Sequence, residues 1–181
     1  MIPLSNFRLC RLAILCAVLL LGGTQPAHAI EEIKPPFELS WGESTERMER
    51  LLLGAKAKIV ERRSVSGCEV WDVEGLRQVG LRRTAFYFRK GELVEVELQY
   101  QMDEWDEPKY DEYMGQVRQR LEQRFGAGQL IARKQEPVAD VVQKVVGWKW
   151  DRNNSSVELF YFAAQNATQV FRTLSVHFKT H

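Results

Sequence analysis

The chain has 181 residues, and its 25 basic and 24 acidic side chains give a formal net charge of +1 at pH 7. A chain this balanced has no overall field that would attract nucleic acid or anionic lipid, so both are excluded as primary partners. Its length suits one ordinary globular domain that buries a sizeable core.

The first 29 residues have the features of a cleavable export signal. Two arginines and no acidic residue precede an uninterrupted apolar run over residues 12–21, and Ala27-His28-Ala29 is the small-x-small pattern that signal peptidase recognises. We therefore predict cleavage after Ala29 and an exported product, periplasmic or secreted. The apolar run is about half of the roughly 20 residues that a membrane-spanning helix needs, so no membrane span is expected after cleavage.

Cleavage would also change the cysteine content and the charge. Cys10 and Cys16 would leave with the signal, together with two basic residues and no acidic one, so the remaining charge becomes slightly negative. Cys68 would then be alone, which excludes an intramolecular disulfide and leaves stability to an ordinary core. We expect Cys68 to be a small buried hydrophobe, with a reactive or intermolecular thiol as the alternatives.

Residues 30–40 are predicted to form an extended lead-in, because Pro35-Pro36 disfavours helix. Ser44 is then a suitable N-cap for a helix of about ten residues, and Gly54 stands where a left-handed C-cap would fall. Strand patterns follow, and Lys90-Gly91 indicates a tight hairpin. These strands are predicted at residues 56–64, 69–73, 84–89 and 92–101.

A second helix is predicted to begin at Asp106 or Glu107, with Pro108 in its first turn, and to end at Gly126. Its apolar stripe consists of Tyr110, Met114, Val117, Leu121 and Phe125. Four more strands are predicted at residues 129–134, 143–151, 156–163 and 169–179.

The two halves of the chain are similar in sequence. Gly54 and Gly126 are almost as far apart in the chain as Phe86 and Phe160, and a Phe-Tyr-Phe triplet begins at each of these phenylalanines. We therefore predict one α+β domain over residues 41–181, made of the repeats 41–101 and 106–179. The predicted fold class is two similar helix-plus-antiparallel-sheet units with the helices packed on one face of the sheet, and the units could form one continuous sheet.

The segment LSWGESTERMERLLLGA, residues 39–55, resembles the opening of the small outer-membrane lipoprotein and β-lactamase-inhibitor-like group of exported bacterial domains. Those domains begin with an apolar residue, a glycine, a Ser/Thr cap, a short helix and Leu-Gly, and they continue into an antiparallel sheet. The resemblance implies a periplasmic binding or assembly module without chemistry of its own. This chain lacks the lipid-bearing cysteine of the outer-membrane members, so their membrane anchorage is not implied.

The sequence contains no pattern that indicates catalysis, a metal or a cofactor. After the signal, only His177 and His181 could act as imidazole bases, and no Gly-rich elbow accompanies Cys68 as a nucleophile. The acidic segment over residues 103–112 lacks the spacing and glycine of a calcium loop. Its carboxylates are better explained by their favourable interaction with a helix N-terminus.

Exposed aromatic side chains are the best candidates for a binding surface. Tyr87 and Tyr161 are predicted to point away from their phenylalanine neighbours, towards the solvent-facing side of the sheet. Together with Leu159 they form the candidate interface. Trp105, inside the acidic segment, is the tryptophan expected to be most exposed.

These patterns predict an exported, non-enzymatic binding module that contacts a protein or a component of the bacterial cell envelope through an open sheet face. The alternatives are a small-molecule carrier or a hydrolase that uses a groove between helices and sheet, and a purely structural subunit. The identity of the partner and the oligomeric state do not follow from the residues.

Overall fold

The computed structural model describes residues 32–181, so the predicted export signal and its cleavage after Ala29 lie outside the described residues. No helix in the described part of the chain is long and apolar enough to cross a membrane. In chain order the helices and strands are α1 (Thr45–Gly54), β1 (Lys58–Val65), β2 (Cys68–Glu74), β3 (Leu81–Arg89), β4 (Glu92–Tyr100), α2 (Glu107–Phe125), β5 (Gln129–Val138), β6 (Val141–Arg152), β7 (Ser155–Gln165) and β8 (Val170–Thr180).

All eight strands belong to one sheet in the order β1-β2-β3-β4-β8-β7-β6-β5. Every neighbouring pair is antiparallel. The two halves of the sheet meet where β4 pairs with β8, in a register that runs from Glu95 opposite Lys179 to Tyr100 opposite Leu174. The last strand of the chain therefore lies in the middle of the sheet.

The predicted fold class was wrong. Strands account for 52% of the structure and helices for 19%, and the architecture is a single eight-stranded antiparallel sheet with two helices, not two helix-plus-sheet units. The physical reason is the pairing of β4 with β8, because two separate sheets would have left both of these strands with unpaired backbone groups. The duplication of residues 41–101 and 106–179 stays a prediction.

The hydrophobic core lies against one face of this sheet, which we call the core face. Its cross-strand pairs are apolar: Val96 lies opposite Phe86 and Phe178, and Val176 lies opposite Leu98 and Leu159. Both helices add buried side chains to the same cluster, namely Met48 and Leu52 from α1 and Tyr110, Met114, Val117, Leu121 and Phe125 from α2. The predicted apolar stripe of the second helix is thus confirmed.

Both helices begin as predicted, but only the second helix also ends as predicted. Ser44 caps α1 by accepting a hydrogen bond from the Arg47 amide, and Asp106 caps α2 in the same way. Gly126 ends α2 with a φ of 76°. Gly54, however, lies inside α1, and the left-handed residue that follows the helix is Lys56, with a φ of 56°. The predicted left-handed C-cap at Gly54 was therefore wrong.

The predicted hairpin and the expected burial of the cysteine are both confirmed. Lys90 and Gly91 connect β3 to β4 with φ values of 54° and 82°, the pair of positive values that a tight antiparallel hairpin favours. Cys68 is buried at the start of β2 and forms no disulfide with the described residues.

Candidate binding surface on the open sheet face

The face of the sheet opposite the core face is called the open face, and it holds only one of the four predicted interface residues. Tyr87 lies there and is partly buried. Tyr161 and Leu159 are fully buried on the core face, so the prediction that they are exposed was wrong. Trp105 is partly buried, with its ring 5.3 Å from the Tyr110 ring and 5.0 Å from the Tyr113 ring.

The error for Tyr161 follows from the alternation along β7. Successive side chains of a strand point to opposite faces, and Val157, Leu159 and Tyr161 all join the core. The residues between them must then lie on the open face, which places Phe160 and Phe162 there. The phenylalanines, and not the tyrosine, are the surface aromatics of this strand.

Phe160, Phe162 and Phe171 form what we call the aromatic patch of the open face. The rings of Phe162 and Phe171 lie 6.1 Å apart, and 45% of the Phe171 side chain is exposed. Phe160 packs over Gly147 on the neighbouring strand, where a Cβ atom would lie 2.5 Å from the Phe160 ring. Only glycine at position 147 leaves room for this ring.

A group of charged residues adjoins the patch, and we call it the central polar cluster: Glu95, Glu97, Glu158, His177 and Lys179. Lys179 Nζ lies 2.9 Å from Glu158 Oε2 and 3.8 Å from Glu95 Oε1. The Phe160 ring meets the His177 ring edge-on at 5.9 Å, so the patch and the cluster form one continuous surface. The cluster itself holds three carboxylates and one lysine and is therefore net negative, while the adjoining Lys149, opposite Glu158, is paired with Asp151.

Tyr87 extends this surface on β3. Its hydroxyl donates a 3.0 Å hydrogen bond to Glu97 Oε2, and Gln99 Nε2 donates one of 2.9 Å to Glu97 Oε1. Burial, and then the negative charge of Glu97, raise the pKa of Tyr87 far above its ordinary value. Tyr87 therefore remains a neutral donor that holds the Glu97 carboxylate in place.

The cluster also contains a hydroxyl–imidazole–carboxylate arrangement that sequence reasoning missed. Ser175 Oγ lies 3.1 Å from His177 Nε2, and His177 Nδ1 lies 3.2 Å from Glu95 Oε1. These are the groups and the order of a serine hydrolase triad. The alternation of β8 indicates that Ser175 and His177 share a face, but only the pairing of β4 with β8 brings Glu95 beside them.

The surroundings of Ser175 do not suit acyl transfer. Ser175 lies opposite Gln99 on one side and Phe160 on the other, so it belongs to a strand that is paired on both edges. The backbone N–H groups there serve the sheet, and none is free to stabilise an oxyanion. Glu97 Oε1, 3.6 Å from His177 Nε2, also competes with the hydroxyl for the imidazole. The arrangement thus fixes the orientation of the His177 ring but provides no oxyanion site beside Ser175.

The fold does not bring together the other side chains considered as catalytic or metal-binding candidates. The strand of Cys68 is separated from the strand of His177 by β3 and β4. In the acidic segment, Asp106 caps α2, and Glu107 lies 2.6 Å from Lys144. Among residues 32–181 no group of His, Cys, Asp and Glu side chains is placed to hold a metal ion.

Comparison with protein families, with curated proteins and with solved structures finds no match for this chain.

Proposed function

We propose that the protein is an exported, non-enzymatic binding module of the bacterial cell envelope that docks a protein partner on the open face of its sheet. The observation that carries this proposal is the contact between Phe160 and His177, which joins the aromatic patch to the acidic polar cluster. Protein–protein contact surfaces are typically enriched in aromatic residues at their centre and have polar groups at their rim.

The chemistry of the surface indicates the chemistry of the partner. Phe162 and Phe171 supply apolar area that an inserted side chain would remove from water. In the central polar cluster Glu95, Glu97 and Glu158 outnumber Lys179, and the neighbouring Lys149 is already paired with Asp151. The partner we propose therefore presents an apolar anchor flanked by lysine or arginine, since complementary charges favour encounter and set orientation.

The backbone around Ser175 supports the proposal that the protein is not an enzyme. The residue lies in a strand that is paired on both sides, where no oxyanion site can form without breaking the sheet. The export part of the proposal is supported by the sequence of residues 1–29 and by the resemblance of residues 39–55 to exported binding domains.

Site-specific photocrosslinking in the native host tests the proposal. A photoreactive p-benzoylphenylalanine at Thr173, which lies opposite Phe162, would sit inside the surface. The same group at Leu53, 79% exposed on α1, provides the control. We expect one dominant adduct from position 173 and no such adduct from position 53. The adduct should disappear when Phe162→Ser is added and should weaken when salt is raised.

Three outcomes would contradict the proposal. The first is the same adducts from both positions, which would mean that the open face has no preferred partner. The second is an adduct at position 173 that survives Phe162→Ser and high salt. The third is covalent labelling of Ser175 by a fluorophosphonate probe, lost in Ser175→Ala, because it would show an activated serine and hence an enzyme.

A further inference from the structure

The core face is not covered along its whole width, and a groove of about 530 Å³ opens between α2 and the strands β5 and β6. It lies on the side of the sheet opposite the aromatic patch. A volume of this size falls within the range of small-molecule sites in proteins.

The floor of the groove is apolar. Met114 from α2 lies beside Val146 and Trp148 from β6, and the two strand residues are only partly buried. Gly115 lines the helical wall, and a Cβ atom at this position would meet nothing within 4 Å. The helix therefore leaves the groove open next to its most apolar part.

Cationic groups surround this floor. The Arg118 guanidinium lies 4.3 Å from the centre of the Trp148 ring, a cation–π distance, and Arg133, Lys134 and Lys144 line the groove from the strands. Asp111 is the acidic residue of the lining within the described chain. The groove thus combines an aromatic floor with positive charge.

The lining holds a fourth cation, Lys134, but it lies opposite Val145, in the register of the open face, whereas Arg133 lies opposite Val146 on the core face. Arg118, Lys144 and Arg133 differ in what already neutralises their charge. Arg118 Nε lies 3.2 Å from Glu122, and Lys144 Nζ lies 2.6 Å from Glu107. The hydrogen bond from Lys144 lowers the pKa of Glu107, and the same contact raises the pKa of Lys144, so this pair remains charged. Arg133 forms no hydrogen bond or ion pair with residues 32–181, and its guanidinium is available for two parallel hydrogen bonds to an anion.

We propose that this groove binds a small organic anion, a molecule with one carboxylate, sulfonate or phosphate group on an apolar or aromatic body. Arg133 holds the anionic group. Trp148, with Met114 and Val146, packs against the apolar body. The Arg118 guanidinium remains over the indole ring and closes one side of the groove. This site is independent of the open face and of any partner docked there.

Fluorescence titration with a matched pair of probes tests the inference. The anion 8-anilinonaphthalene-1-sulfonate carries a sulfonate, and N-phenyl-1-naphthylamine has the same rings without it. We expect saturable one-site binding of the sulfonate. Arg133→Gln should weaken it roughly tenfold, the loss expected for a hydrogen bond between charged groups, and should leave the uncharged probe unchanged. Trp148→Leu should weaken both probes.

Two control variants make the outcome decisive. Arg82→Gln removes an exposed arginine of β3 outside the groove and should have no effect. Phe162→Ser alters the aromatic patch and should also have no effect on the sulfonate. If Arg133→Gln has no more effect than Arg82→Gln, Arg133 only keeps an edge strand charged and the inference fails. If Phe162→Ser abolishes sulfonate binding, the probe reports the open face and the inference also fails. Urea unfolding of each variant checks that it is folded.

Discussion

Two Phe-Tyr-Phe triplets occupy the same place in the two halves of the chain and present opposite sides. In β3, Phe86 and Phe88 are buried in the core while Tyr87 lies on the open face. In β7, Tyr161 is buried and its phenylalanine neighbours lie on the open face. The same three-residue sequence therefore gives a hydrogen-bonded polar site in one strand and an aromatic patch in the other.

The difference shows that a strand's orientation is decided by its whole alternation and not by its most conspicuous residues. In β7 the apolar residues Val157 and Leu159 alternate with Glu158, and burying a carboxylate without a partner would be far more costly than exposing a phenylalanine. Tyr161 lies on the same side of the strand as Leu159 and is therefore buried in the core. β3 has no carboxylate at the corresponding position to determine which side of the strand faces solvent, and its two phenylalanines are buried in the core.

The largest difference between the two strands is expected when the first phenylalanine of each triplet is truncated. Phe86 is 1% exposed, so Phe86→Ala should lower the free energy of unfolding by about 3–5 kcal/mol. Phe160→Ala, on the open face, should cost about 1 kcal/mol or less. Urea denaturation followed by tryptophan fluorescence measures both. Equal losses would mean that the two strands do not differ in orientation.

Gly147 provides the next test, because it makes room for the ring of Phe160. The added Cβ of Gly147→Ala would lie 2.5 Å from that ring, so overpacking should cost about 1–3 kcal/mol. The cost should largely vanish when Phe160→Ala is already present. The matched control is Gly115→Ala in α2, where nothing lies within 4 Å and about 0.5–1 kcal/mol of stabilisation is expected. A cost independent of Phe160 would refute the packing explanation.

Removing each tyrosine hydroxyl should give the smallest effects, with opposite signs. Tyr87→Phe loses the hydrogen bond to Glu97 and should destabilise by about 1 kcal/mol. The Tyr161 hydroxyl is buried and has no hydrogen-bond partner among residues 32–181. Tyr161→Phe should therefore be neutral or stabilise by up to about 1 kcal/mol. A clear loss of stability in Tyr161→Phe would show that this hydroxyl is satisfied in solution, for example by a bound water.

Local elements could be read from the sequence because their causes are local. Ser44 and Asp106 cap helices with their own side chains, and Lys90-Gly91 closes a hairpin through its own backbone. The fold class could not be read in this way. Nothing in the periodicity of β4 or β8 says that they pair with each other, since any two amphipathic strands could do so.

The candidate surface could not be predicted from the sequence for the same reason. Glu95 and His177 come together only through the pairing of β4 with β8. The groove depends on Trp148 being left partly uncovered beside α2, which is a matter of where the helix lies on the sheet. By contrast, the misplaced Tyr161 was predictable, because Glu158 marks the solvent side of its strand.

The central position of β8 has a consequence for how the chain reaches its fold. The strand that joins the two halves is made last, and its partner β4 ends before α2 begins. The pairing of β4 with β8 cannot form until residues 170–180 have been made, and contacts between residues so distant in sequence slow folding. Until then β4 has only β3 as a partner, so the edge at which the two halves of the sheet join stays unpaired while the intervening residues are synthesised.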